Sequence, residues 1–299
     1  QGDYPGAKAF LENTQFDPSH PIYPDLLNMD NMLPQTTGDG CFSSFEDNTV
    51  IHRKNDGTEC SYGDTASERT MYVVGGSHSE QYIGALDTIG KRNNIKIIPI
   101  VKMGCPLYQP ILWDESDYYG CYGFWSPEVE QYIYNNPPTD GIFMISTRPT
   151  TMLGYGPEIV PDYYHDVFDR ITQAGIPIYA MRDNAWLIKD GQMLDARYCV
   201  FDHPRDYRQE CGQPSNINLN EINPAFEAYG NMPNIKHLDI SPSYIRDGWV
   251  NVVVGNILVF RDNHHLTRQF AETLTDEIER QMKENPWTES TDLSIVHGL

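Results

Sequence analysis

From Thr70 onward, short unbroken apolar runs alternate with segments whose apolar residues recur three or four apart. The runs are TMYVVGG (70–76), IKIIPIV (95–101), GIFMIS (141–146), IPIYAM (176–181) and VVVGNILVF (252–260). None alternates polar with apolar positions, so each predicts a strand covered on both faces, as in a parallel sheet. Between them, HSEQYIGALDTIGKRNN sets Tyr82, Ile83, Leu86 and Ile89 on one helical face. DYYHDVFDRITQAG ends on Gly175, placed as the residue just past a helix. HLTRQFAETLTDEIERQMKEN spaces Leu266, Phe270, Leu274, Ile278 and Met282 four apart, which predicts a final helix lying on the sheet. The β-α-β-α order predicts a doubly wound α/β sandwich.

Residues 1–68 read differently. They are rich in Gly, Pro, Asp and Asn and predict irregular structure with turns, an extension ahead of an α/β domain over 69–299. The six cysteines, Cys41, Cys60, Cys105, Cys121, Cys199 and Cys211, fall into three close pairs, and none has C-x-x-C spacing. Proximity favours disulfides 41–60, 105–121 and 199–211 and an oxidising compartment, with other pairings and free thiols as alternatives. On this reading the first pair pins the extension.

Charge narrows the partners. Asp and Glu number 42 against 21 Lys and Arg, a net charge of −21. Such a surface repels nucleic acid and anionic lipid, because both need clustered cations. No apolar run is long enough to span a membrane, and no secretory leader opens the chain. The first residue is Gln1, so the expectation is a mature product or a piece of a longer protein.

Ser77 follows Gly75 and Gly76 where the first apolar run ends, on the rim where open parallel sheets hold ligands. Two glycines permit a turn with unusual dihedrals, and a following helix start would present N–H groups to a developing negative charge. The position suits a nucleophile whose own N–H helps hold an oxyanion, and equally a helix-capping serine. FRDNHHLT (260–267) supplies a base after the last apolar run. Asp262 can hold His265 in one tautomer, with His264 as the neighbouring alternative. A metal site of Asp262, His264 and His265 lacks a further ligand in the sequence.

GGSHS followed by DNHHLT resembles blocks I and V of the SGNH hydrolase superfamily. DYPGA, Cys60 with SYGD, GGSHS, MGCP (103–106), MRDN (181–184) and VVGNILVFRDNHHLT together resemble, in order, the extracytoplasmic SGNH domain fused to membrane acyltransferase-3 domains. The resemblance runs from Asp3 to about Met282. It implies a three-layer α/β/α, flavodoxin-like fold, with Ser77 as nucleophile, His265 as base and Asp262 as its partner. It further implies O-acylation, most simply O-acetylation, of a cell-envelope glycan or glycolipid outside the cytoplasmic membrane. No cofactor is expected in this domain; a fused or associated membrane acyltransferase domain would deliver the acyl group. An esterase with the same triad and an inactive glycan-binding module are the rival readings.

The sequence departs from the family pattern at several points. Gly76 stands where relatives usually carry aspartate, which predicts altered turn geometry. The block III Gly-x-Asn-Asp is missing; GIFMIS instead runs into TRPT, so Arg148 is a candidate oxyanion or substrate contact, with a surface or salt-bridged arginine as the plain alternative. Gly104 is the candidate block II glycine. A cysteine pair common before block V is absent. Arg182 and Asp183 are read first as a salt bridge fixing the loop toward Cys199, and second as rim residues. Trp113 and Trp125 are either buried or stacked on a ligand.

Overall fold

The computed structural model describes residues 2–110 and 120–284. Its central sheet has six strands: β1 (Tyr62–Gly63), β2 (Thr70–Gly75), β3 (Lys96–Val101), β4 (Ile142–Ile145), β5 (Ile178–Met181) and β6 (Ile235–Leu238). Their order is β1-β3-β2-β4-β5-β6, all parallel except the edge strand β1. Four of the five predicted apolar runs are thus β2 to β5. The chain passes from β2 to β3 on one side and returns to β4 on the other, which makes the carboxyl end of β2 the topological switch point.

Strands β2 to β5 each feed two cores, as unbroken apolar runs require. Met71, Val73, Ile97 and Phe143 point into one, and Tyr72, Val74, Ile98 and Ile142 into the other. Among the helices are α1 (Ser77–Glu80), α2 (Ile83–Asn93), α3 (Ser126–Asn135), α4 (Asp162–Gln173), α5 (Arg268–Glu272) and α6 (Thr275–Lys283). α2, α5 and α6 cover the first core together with residues of the N-terminal segment, among them Ala7, Met32 and Cys41. α3 and α4 cover the second. The result is a three-layer α/β/α sandwich. All three proximity-predicted disulfides are present: Cys41–Cys60, Cys105–Cys121 and Cys199–Cys211.

The sequence reading needs three corrections here. VVVGNILVF is a small antiparallel hairpin, Val253–Val254 against Ile257–Leu258, and does not join the central sheet. Gly255 and Asn256 between its arms both have positive φ (53° and 61°), the backbone of a type I′ turn. The remaining parallel strand is β6, whose Lys236 and His237 break any apolar run. The segment after Ser77 is likewise interrupted at Gln81–Tyr82, leaving α1 a single turn. The last predicted helix is split into α5 and α6: the hydroxyls of Thr273 and Thr275 donate to the carbonyls of Phe270 and Glu272, at 2.7 Å each. Such back-bonding competes with the helical ladder. Thr273 also accepts the Ala7 N–H at 3.0 Å, so the break seats the N-terminal segment.

That segment straps the hairpin. Gly6 N–H donates to Gly255 O, and the Asn256 amide donates to the carbonyls of Asp3 and Asp17, both at 2.8 Å. The hairpin in turn leads directly into Asp262.

Candidate active site

The carboxyl end of β2 presents Ser77. Gly75 has φ +128°, and a Cβ there would meet Ser79 Oγ at 2.8 Å, so this glycine answers a backbone requirement. Gly76 does not: its φ of −98° is ordinary extended backbone. The expected unusual turn therefore rests on Gly75 alone. What favours a small residue at 76 is the Cys105 main chain, whose N would lie 3.3 Å from a Cβ. Gly76, rather than Ser77, occupies the N-cap position, and Ser77 is the first helical residue, its side chain engaged elsewhere.

Ser77 Oγ lies 2.6 Å from His265 Nε2, across 188 residues of sequence. His265 Nδ1 is 2.7 Å from Asp262 Oδ2. Asp262 Oδ1 accepts the backbone N–H groups of His264 and His265 at 2.9 and 2.7 Å. Every partner of this carboxylate is a donor, so His265 carries its proton on Nδ1 and turns a lone pair toward the Ser77 hydroxyl. Burial alone would raise the Asp262 carboxyl, but the His265 hydrogen bond and the neighbouring imidazoles hold it well below the usual range. Burial pushes His265 down to about 4, against the pull of Asp262, and His265 is neutral at physiological pH. The turn is closed by the Arg261 N–H on His265 O at 2.9 Å.

A second hydrogen-bonded chain runs beside the first, and sequence reasoning missed it. His78 Nδ1 is 2.6 Å from Asp183 Oδ1, and His78 Nε2 is 2.8 Å from His264 Nδ1. Asp183 also accepts Asn184 N–H at 3.0 Å and Trp186 Nε1–H at 2.9 Å. The Trp186 ring stacks on His264 with centroids 4.3 Å apart. His78 adjoins Ser77, but its partners lie more than a hundred residues away, and no local pattern announces them. The predicted link from Arg182 and Asp183 toward Cys199 is not what forms. Arg182 is buried between Glu158 (2.7 Å) and Asp239 (3.1 Å), a charge network beneath the site, while Asp183 turns to His78.

A cleft of about 260 Å³ opens over Ser77, lined among others by Gly104, Met144, Arg148, Tyr164, Trp186 and His264. Gly104 has φ +69°, and a Cβ would strike the Phe45 ring at 2.8 Å. Among the described residues, no acceptor takes the N–H of Ser77 or of Gly104. Arg148 is neither exposed nor salt-bridged. It is buried without a carboxylate partner among the described residues, and donates to the Pro149 and Thr151 carbonyls at 3.1 and 3.4 Å. Trp125 is buried, its indole N–H on Thr49 O at 3.3 Å; Trp113 lies outside the described residues. The metal alternative meets a different trio. Ring nitrogens of His78, His264 and His265 lie within 4.8 Å of one another, while Asp262 is engaged by its own turn.

The chain matches the family model of the SGNH domain fused to AT3 domains over residues 41–280. No curated protein matches it. Among solved structures it is similar to the lipopolysaccharide acetyltransferase periplasmic domain of Salmonella ser. Paratyphi A. Identity there is 13%, the alignment covers 74% of this chain and 87% of that one, and the TM-score is 0.52. That likeness speaks for the fold, and the family match spans most of the sequence. The chain belongs to the SGNH domains found fused to AT3 domains.

Proposed function

We propose that this chain is the extracytoplasmic acyl-transferring domain of a membrane O-acyltransferase, with acetyl as the acyl group and an envelope glycan or glycolipid as acceptor. The observation that carries the reading is the continuous Ser77–His265–Asp262 hydrogen-bond chain at the sheet's switch point. AT3 fusion in the family and the likeness to a lipopolysaccharide acetyltransferase periplasmic domain favour transfer over simple hydrolysis. Among the described residues no helix is long and apolar enough to cross a membrane; on this reading the AT3 domain to which such SGNH domains are fused anchors the chain and delivers the acyl group.

In this mechanism Ser77 Oγ attacks the donor's acyl carbonyl as its proton passes to His265 Nε2. The N–H groups of Ser77 and Gly104, with the Arg148 guanidinium, face the oxyanion. The tetrahedral centre collapses, the donor's leaving group takes the proton from His265, and an ester remains on Ser77. An acceptor hydroxyl then gives its proton to His265 and attacks that ester. Ser77 leaves with the proton, and the product carries the acyl group. Asp262 holds His265 in the required tautomer and stabilises the imidazolium.

The esterase alternative uses water in the second half. An inactive binding module is disfavoured by a hydrogen-bonded triad with a neutral base. The test is acylation by p-nitrophenyl acetate with and without sugar acceptors. Wild type is expected to release a nitrophenol burst and form acetylated sugar. Ser77→Ala and His265→Ala should lose the burst; equal rates in all three would reject the reading.

A further inference from the structure

Beside the triad stands a hydrogen-bond relay that the acyl-transfer chemistry leaves unused. Asp183 accepts from three donors: Asn184 N–H, Trp186 Nε1–H and His78 Nδ1. A carboxylate in that role requires the proton of His78 to sit on Nδ1. In a neutral ring His78 Nε2 then offers a lone pair, and its partner at 2.8 Å, His264 Nδ1, must donate. The proton of His264 is thereby fixed on Nδ1, and its Nε2 is a bare acceptor. That nitrogen has no hydrogen-bond partner among the described residues, and it is not among the fully buried atoms left unsatisfied. His264 lines the cleft over Ser77. Its ring lies 3.9 Å from that of His265, centroid to centroid. Two neighbouring imidazoles thus each present an acceptor nitrogen by the same device, a carboxylate holding the far side of the relay.

We infer that His264 binds a second hydroxyl of the acceptor, next to the one that reacts, so that the domain selects vicinal diols. This rests on the acyl-transfer reading above. The reacting hydroxyl donates to His265 Nε2, and its neighbour donates to His264 Nε2. A single hydroxyl cannot serve both nitrogens, since it has one proton, so an isolated alcohol leaves one of them unpaired. Trp186 holds the His264 ring by stacking, and His78 and Asp183 are positioning residues that fix its tautomer. An acceptor lacking the second hydroxyl loses a neutral hydrogen bond, a discrimination of about fivefold.

The test measures partition of the acetyl group from p-nitrophenyl acetate between water, ethylene glycol and 2-methoxyethanol, which differs from the diol by methylation of one hydroxyl. Wild type is expected to favour the diol about fivefold per reactive hydroxyl. His264→Phe keeps the stack on Trp186 and removes the nitrogens; whatever its burst rate, the acetyl groups it transfers should partition without preference for the diol. No preference in wild type, or an unchanged one in His264→Phe, overturns the inference while leaving the acyl-enzyme intact. Absence of the burst in wild type overturns the acyl-enzyme reading itself, and the diol site with it. A second readout needs no turnover: ring-nitrogen NMR should find His78 and His264 protonated on Nδ1. Asp183→Ala removes the acceptor that holds the His78 proton on Nδ1, so both rings should gain the Nε2 tautomer and the diol preference should weaken. A wild-type His264 protonated on Nε2 contradicts the relay.

Discussion

Glu80 lies three residues past Ser77 and is 1% exposed. Thr36 and Thr37, from the N-terminal segment, donate hydroxyls to its Oε2 at 2.6 and 2.9 Å. Burial nevertheless outweighs these bonds and the nearby Arg261, and pushes the carboxyl up to about 7 from an ordinary value of 4.5. The folded chain therefore keeps a proton that the unfolded chain has already released. The favourable state is complete below the unfolded value and is lost as pH rises through the folded one. At about 1.4 kcal/mol per pKa unit, the loss across this window is about 3 kcal/mol. Glu80→Gln keeps a carbonyl for both threonine hydroxyls and cannot ionise. Urea denaturation of both proteins should show near-equal stability at the acid end, with the variant gaining about 3 kcal/mol above neutral pH. A pH-independent difference, or a variant less stable than wild type at alkaline pH, would refute the reasoning.

Acylation of Ser77 needs a neutral His265. Because burial holds that imidazole at about 4, the burst rate should be flat across neutral pH and fall only below about pH 4, with near-UV circular dichroism reporting the fold at each point. A limb at the ordinary histidine value would contradict the assigned environment. Arg182→Met would leave Glu158 and Asp239 buried without their cation, so it should cost about 3–5 kcal/mol in urea denaturation, and a loss below about 1 kcal/mol would contradict the network's role.

The layers were legible because strands covered on both faces have no polar positions to hide them. β2 to β5 announce themselves by that rule, and α2 and α4 by their helical spacing and the Gly175 stop, whereas no predicted helix falls on α3, between β3 and β4. β6 escaped it because Lys236 and His237 interrupt so short a strand. VVVGNILVF misled for the opposite reason: its arms are apolar, and the Gly255–Asn256 turn lies inside the run, where composition outweighed the turn signal. In the site, Ser77, His265 and Asp262 are local features at two ends of the chain and could be named from their segments. The Asp183–His78–His264 relay could not: Asp183 and His264 stood out only for other roles, His78 for none, and the three are joined only through the fold. The same holds for Glu158, which meets Arg182 across 24 residues. Gly104 and Arg148 were candidates from position alone, and both line the cleft that holds Ser77.

The most direct test of the central claim is where the acyl group goes. Brief exposure to p-nitrophenyl acetate, an acid quench, intact-mass measurement and peptide mapping would locate it. The account predicts one acetyl group on the peptide carrying Ser77, none in Ser77→Ala, and far slower labelling in His265→Ala. An unlabelled wild type, or equal labelling of wild type and Ser77→Ala, would contradict it.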